Sequence, residues 1–334
     1  MSDVYAAAPD LRLAISGPRA ARAHYAAEYA AAGVAAGRPP DVEVDVRFAR
    51  SLPAATPSDG HKTVRWSVQA SRPDERPLRL RITIAGRPRR FALSMVQGYL
   101  VEPLVSLAAA AKDLVLLPAA ALVEPGGAVV LLGRSGAGKT SVVTRAIASG
   151  RGALGDDQVL VGTAGEVRSW PRRLRVYPDL RQTAPSAVRA LPMWHRRALD
   201  TRRIVAAATA GWVAPSLALP WEAVGGAAVS GPLPITRVLV VERGGAGDAV
   251  AVTALQPSAV VDVAGAVLAE QRSRFVRVLG PDWLPAVDAA AAQEARTLAA
   301  ALAGVPAERW TVPGTWGAAR SVSELAAAVG ISAP

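Results

Sequence analysis

The residues with the clearest chemical potential lie in one short stretch, Gly133-Arg-Ser-Gly-Ala-Gly-Lys-Thr140, which satisfies the pattern G-x-x-x-x-G-K-T of a phosphate-binding loop. Glycines at 133, 136 and 138 let successive backbone N–H groups turn inward, and the absence of side chains leaves room for an anion in the concavity. The residues between them, Arg134, Ser135 and Ala137, complete the loop. Lys139 places a mobile positive charge beside the β- and γ-phosphates, the Thr140 hydroxyl can hold Mg²⁺, and Ser141 continues into a helix whose positive end faces the phosphates. The expected ligand is therefore the phosphates of a nucleotide, with Mg²⁺. Seventeen or so residues further on stand two adjacent acids, Asp156 and Asp157. Two carboxylates so close raise one another's pKa unless a cation or hydrogen-bond donors meet them. Mg²⁺ shared with Thr140 and a proton to accept would resolve that. Glu242, ending the apolar run Val238-Leu-Val-Val241, is a second acid that could order a metal, although a plain strand-end carboxylate before a turn is the reading favoured here.

These groups need elements to hold them. Ala128-Val-Val-Leu-Leu132 is a β-branched apolar run suited to a buried strand, and Ser141 to Ser149 carries Val142, Val143, Ala146 and Ile147 at helical spacing before the natural stop Gly150. Leu154 to Val161 reads as a short strand broken by the acid pair. From residue 113 onward the pattern is strand, turn, strand, loop, helix, strand. Further strands are expected at Glu166 to Trp170, Thr236 to Glu242 and Arg309 to Val312, and helices at Pro257 to Leu279, Asp288 to Ala303 and Ser321 to Val329. The last opens with Ser321-Val-Ser-Glu324, the spacing of a capping box. Residues 206–234 give no clear assignment. Arginines crowd residues 172–203; most are expected to be solvated, and one or two of Arg173, Arg175 and Arg181 are expected to meet a phosphate or an acidic acceptor. Trp170, Trp194, Trp212 and Trp221 are expected in the core.

Residues 1–112 read as a separate α+β domain. Strands are expected at Leu11 to Ile15, Val42 to Phe48, Thr63 to Val68 and Leu78 to Ile84, with a helix over Pro18 to Ala36 carrying Tyr25, Tyr29 and Val34. Ser51 to Gly60 reads as a loop, Ala85 to Pro88 as a hairpin turn into a strand at Arg90 to Leu93, and Met95 to Ala111 as a helix. No chemistry announces itself in this half.

Composition narrows the classes. The 334 residues contain no cysteine, which closes disulfide and thiolate-metal chemistry. The three histidines, His24, His61 and His195, lie too far apart in sequence to suggest a zinc site. The net charge of +11 comes almost wholly from arginine, lysine occurring only at 62, 112 and 139. An Arg-biased composition of this kind does not by itself indicate nucleic acid, and the preference for anions is met by a nucleotide. The most apolar stretch, Leu114 to Leu132, is interrupted by Pro118, Glu124, Pro125 and two glycines, so it is not a membrane helix. With no basic-then-apolar leader at Met1, the expectation is a soluble, cytoplasmic protein without membrane partners.

The run GRSGAGKT, a single helix, and then ALGDDQVLV resembles the HPr kinase/phosphorylase superfamily, whose core is also similar to ATP-dependent phosphoenolpyruvate carboxykinase. The strand pair before the loop and the strand Ile235 to Glu242 followed by a helix fit the same resemblance, which covers roughly residues 114–268. It implies an α/β fold with a P-loop kinase core over residues 113–334 behind the N-terminal α+β domain. It further implies phosphoryl transfer from ATP to a hydroxyl of a small molecule or peptide, with Asp156 as the base and Asp157 helping Thr140 hold Mg²⁺. Members of the family often assemble, so a homo-oligomer is implied as well. Two departures limit what carries over. Pro118 stands where the family has a histidine, and no Glu-Ile-Arg-Gly strand follows Trp170, so neither HPr as acceptor nor the reverse phosphorylase reaction is implied. The competing readings are an ATPase using Glu242 as its metal-ordering acid, for which the transporter signature L-S-G-G-Q is missing, and a nucleotide-binding partner protein without turnover.

Overall fold

The computed structural model describes residues 2–8, 10–32, 37–54, 56–210, 216–226, 229, 231–245 and 247–331. Val34 and Trp212 lie outside them. The fold is α/β with mixed sheets, and the chain divides into two compact units.

The first unit, Met1–Leu116 with Gly265–Leu298, holds a six-stranded sheet. Its strands are β1 (Ser2–Ala8), β2 (Leu11–Ser16), β3 (Val42–Phe48), β4 (Ser58–His61), β5 (Val64–Ala70) and β6 (Leu78–Gly86), in the order β1-β2-β3-β6-β5-β4. Alternation in β3 and β6 sends Val42, Val44, Val46, Leu80, Ile82 and Ile84 into the core, where helices α1 (Arg19–Glu28), α2 (Arg89–Val96) and α3 (Glu102–Ala110) bury their apolar faces. On the opposite face the polar residues pair across strands, Arg79 with Glu43 at 2.9 Å and Arg81 with Asp45 at 3.1 Å. These pairs line a shallow groove of about 690 Å³ and leave it little unmatched charge. The π-helical turn Gln97–Val101 joins α2 to α3, and Arg89–Ala110 is the one helical stretch among the described residues long and apolar enough to cross a membrane. Most of it is buried inside this unit, which accounts for its apolar character.

Three local expectations differ here. Arg90 to Leu93 is helical, not the second strand of a hairpin: Pro88 precedes the first turn, where its missing N–H costs nothing, and Ala92, Leu93 and Val96 bury one helix face. Helix α1 ends at Glu28, short of Ala36, and a single 3₁₀ turn, Ala30–Ala32, follows it. Strand β4 occupies the end of the expected loop Ser51 to Gly60. The unit boundary also departs from a single cut at 112/113, since residues 265–298 belong with the N-terminal part. Their anchor is Arg272, whose guanidinium is buried against Glu294 and donates to Ser106 Oγ.

The second unit, Leu117–Ala264 with Ala299–Pro334, is built on a mixed sheet. Strand β7 (Leu114–Leu117), all but its last residue in the first unit, ends at Pro118, and β8 (Ala119–Glu124) runs antiparallel to β9 (Gly127–Leu132). Strand β9 feeds helix α4 (Lys139–Ala148). Then come β10 (Ala153–Gly155), β11 (Val159–Gly162), β12 (Glu166–Ser169) and β13 (Leu174–Val176). Helices α5 (Leu180–Thr183), α6 (Pro185–Ala190) and α7 (Met193–Ala208) follow, and β14 (Leu217–Leu219) returns to pair with β13. The long β15 (Leu233–Gly245) lies parallel to β9, and it is flanked on its other side by β17 (Ala307–Pro313), itself paired with β16 (Ala251–Leu255). Helix α8 (Pro257–Leu279) passes out of the unit at Gly265, α9 (Leu284–Ala301) re-enters it at Ala299, and α10 (Ala318–Ala328) closes it. The core between α4, α10 and the sheet is Ala, Val and Leu with Trp221 and Trp316. Trp170 is buried as expected, whereas Trp194 is 65% exposed at the start of α7. Helix α10 starts three residues before Ser321: Gly317, in extended conformation, is its N-cap, and the Ser321 hydroxyl donates back to the Gly317 carbonyl. The Ser321–Glu324 spacing therefore does not mark the helix start.

Candidate functional site

Strand β9 delivers Gly133 to the edge of α4 because β9 and β15 run side by side. A Cβ on Gly133 would stand 2.5 Å from the Val241 carbonyl oxygen of β15, so only glycine lets the strand end there. Gly136 and Gly138 then take φ of +84° and +97°, conformations open to glycine at little cost, and Gly138 is the N-cap of α4. The first N–H groups of that helix have no acceptor within it and face the loop's concavity. Arg145, on the buried side of α4, fixes the helix by donating to the Thr183 carbonyl and, over 3.1 Å, to Ser323 Oγ. Thr183 in turn donates to Ser141 Oγ at 3.0 Å.

The acid pair sits in the tight turn between β10 and β11. A Cβ on Gly155 would lie 2.3 Å from the Gln158 carbonyl oxygen, which is the physical reason a residue without a side chain precedes the two acids. The turn points the acids differently. Asp156 is 2% exposed and accepts from the backbone N–H of Arg175 at 3.2 Å. Its burial, and Asp157 beside it, push its pKa up to about 6 against the lowering pull of the Arg175 N–H and the nearby arginines. Asp157 faces the cavity and pairs with Arg172 at 3.1 Å. Arg172 is held by its own carbonyl, which accepts from the indole N–H of Trp221 at 2.8 Å.

Residues Ser135 to Ser141 and Asp157 line one cavity of about 550 Å³, a volume suited to a nucleotide. Lys139 is almost fully buried beside it, its Nζ donating to the carbonyls of Gly133 and Arg134. Burial lowers the Lys139 pKa, and Asp157 and then Asp156 oppose the shift, so both carboxylates act on the ammonium. The structure thus brings together Lys139, Thr140 and Asp157, with Asp156 immediately behind. Among the described residues no three His, Cys, Asp or Glu side chains cluster to hold a metal unaided. One carboxylate and one hydroxyl beside a phosphate cradle is the donor set that suits Mg²⁺, which keeps waters and takes phosphate oxygens as its remaining ligands.

Of the three arginines singled out in the sequence, Arg175 lines the cavity, Arg181 pairs with Asp200 at 2.7 Å, and Arg173 is not part of the wall. Glu242 is also off the cavity, half-exposed on β15 and paired with Arg309 at 3.5 Å. Among the polar lining residues, Tyr177, Asp179 and Arg243 carried no motif, and Ser321 stood out only as the start of a capping-box spacing. Arg243 reaches the site because β15 continues past the glycine loop, and its guanidinium donates to the Trp316 carbonyl at 2.6 Å. The only signal for it was its place directly after the strand-end acid. No protein-family model matches the chain, and no curated protein matches it.

Proposed function

We propose that the chain is an ATP- and Mg²⁺-dependent kinase that moves the γ-phosphoryl group to a hydroxyl of a small molecule or peptide, on an HPr-kinase-like P-loop core. The observation that carries the reading is the convergence of Lys139, Thr140 and Asp157 on one nucleotide-sized cavity lined by the glycine loop. Phosphoryl transfer asks a protein for positioning, charge neutralisation and an oriented nucleophile. The loop N–H groups and Lys139 bind and orient the phosphates. Thr140 and Asp157 would hold Mg²⁺, which supplies charge neutralisation at the β- and γ-phosphates when bound. Asp156 takes the proton of the acceptor hydroxyl, a role that suits a carboxyl raised toward neutrality by burial. Arg175 contributes positive charge to the wall that the acceptor would share.

The test is mass-spectrometric detection of a phosphorylated product from ATP, Mg²⁺ and a panel of hydroxyl-bearing metabolites and peptides. Asp156→Asn abolishes transfer and leaves ATP binding intact on this reading. Undiminished turnover in Asp156→Asn together with its loss in Glu242→Gln would instead mark an ATPase.

A further inference from the structure

Four of the seven large apolar side chains left exposed among the described residues stand on one helix, α7. They are Met193, Trp194, Ile204 and Val205, and Ile204, at 66%, is the most open of the seven. At 3.6 residues per turn, Met193, Arg197 and Ile204 follow one another along the helix with Trp194, Thr201 and Val205 beside them, so these exposed residues share about a third of its circumference. The opposite side carries the two buried residues of α7, His195 and Leu199. Beyond Leu199 no residue of the helix is buried, and Ala206, on that inner side, lines the cavity.

The outer face is cationic as well as apolar. Arg196, Arg197 and Arg203 have no acidic partner among the described residues, and the one acid of α7, Asp200, is taken up by Arg181 at 2.7 Å. Three kinds of occupant fit that combination badly. An isologous contact with a second copy would set the arginines against their own images. In a bilayer Arg197 would be carried under with Trp194 and Ile204, whereas interfacial helices keep their basic residues on the polar face. Nucleic acid would match the arginines and leave Met193, Ile204 and Val205 uncovered. A polypeptide with acidic side chains and apolar anchors satisfies both properties.

The face also lies close to the site. A helix is about 10 Å across, so the surface around Val205 stands roughly one helix diameter from the cavity wall at Ala206. An extended chain covers that distance in about three or four residues. Within the cavity, the half-exposed Tyr177 has Asp157 and Asp156 among its charged neighbours, so open wall adjoins the acid pair.

We propose that the outer face of α7 docks an acidic polypeptide with apolar anchors, and that this polypeptide carries the acceptor hydroxyl past Ala206 and Tyr177 to the acid pair. The acceptor role rests on the kinase reading; the docking does not. Selection of a random-peptide display library, each member carrying a serine, on the full-length protein tests it, followed by fluorescence anisotropy with a labelled copy of an enriched peptide. Enriched sequences combine Asp or Glu with Leu, Ile or Phe, and the labelled peptide binds about tenfold more weakly once its acids are replaced by amides. Arg197→Glu with Arg203→Glu, and separately Trp194→Ser with Ile204→Ser, each lose about tenfold or more in peptide affinity, the scale of losing an interface anchor. All four side chains are exposed, so the melting temperature and the affinity for ATP stay at wild-type values. Incubation with Mg·ATP then places phosphate on the bound peptide. Enrichment of neutral or basic peptides, or full peptide affinity in both double variants, overturns the docking surface and leaves the kinase reading with a small-molecule acceptor. A dimer in light scattering that Trp194→Ser with Ile204→Ser dissolves assigns the face to a second copy and overturns the proposal. Cosedimentation with anionic lipid vesicles that the same variant abolishes assigns it to a membrane and does likewise. Peptide binding that follows the variants, with no phosphate on the peptide, keeps the surface and overturns the acceptor role; if no other hydroxyl compound accepts phosphate either, the kinase reading falls as well.

Discussion

Replacing Gly155 with alanine tests whether the acid pair depends on its turn. The added Cβ would meet the Gln158 carbonyl oxygen at 2.3 Å and Val159 Cγ1 at 2.7 Å, where ordinary contact begins at 3.4 Å. The nearest obstruction is backbone, so the turn has to open by roughly 1 Å. Overpacking of this kind costs about 1–3 kcal/mol. The same movement strains the 3.2 Å bond from the Arg175 N–H to Asp156 and shifts Asp157 away from Thr140. A misplacement of about 1 Å commonly costs around 10²-fold in rate. The glycine loop itself is untouched. The expected result is a lower melting temperature, near-normal affinity for ATP without Mg²⁺, loss of most of the increment that Mg²⁺ adds, and turnover reduced by about two orders of magnitude. Calorimetric titration with and without Mg²⁺, beside a thermal melt, reads the first three. A Gly155→Ala protein with wild-type melting and wild-type Mg²⁺ dependence would refute the reasoning, since the turn would then tolerate the side chain without moving the acids.

Three further outcomes concern stability. Glu124, nearly buried, accepts from Thr236 and Arg237 and lies 3.8 Å from Arg151; burial raises its pKa, but these partners outweigh it and hold it below the usual carboxylate range. Its contribution is therefore complete above the unfolded pKa of about 4.3 and fades as pH falls through the lower folded value. Glu124→Gln should cost about 1–3 kcal/mol near neutrality and flatten the acid limb of a denaturation-versus-pH series. Glu294→Gln leaves the Arg272 guanidinium buried without its carboxylate, and chemical denaturation should show a loss of about 3–5 kcal/mol. Gly265→Ala, in the interior of α8 with open space around the new methyl, should gain about 0.5–1 kcal/mol in the same assay.

How much could be read in advance follows from how local each cause is. The glycine loop, α4, the acid pair and most of β9 are encoded within 33 consecutive residues, Val129 to Val161, where φ-permissive glycines and β-branched runs leave few alternatives. Helix α8 was legible to both ends, and β15 through most of its length, for the same reason. The stretch Arg90 to Leu93 was too short for period alone to separate strand from helix, and the burial of Ala92 and Val96 decided it. Ser321 carried a convincing capping pattern, yet Gly317 begins the helix. The different exposures of Asp156 and Asp157 arise from a turn closed on Gly155, which two identical letters cannot convey. Tyr177, Asp179 and Arg243 reach the cavity only through tertiary packing, by way of α5 and the overrun of β15. Residues 265–298 belong to the first unit because Arg272 finds Ser106, 166 positions away.

The most direct measurement is the affinity of ATP with and without Mg²⁺ in wild type, Lys139→Ala and Asp157→Asn. If Lys139, Thr140 and Asp157 hold a Mg-nucleotide together, wild type binds ATP more tightly when Mg²⁺ is present. Lys139→Ala then loses affinity under both conditions, and Asp157→Asn loses only the Mg²⁺-dependent part. The same Mg²⁺ increment in Asp157→Asn as in wild type, or ATP affinity indifferent to Lys139, would contradict the account.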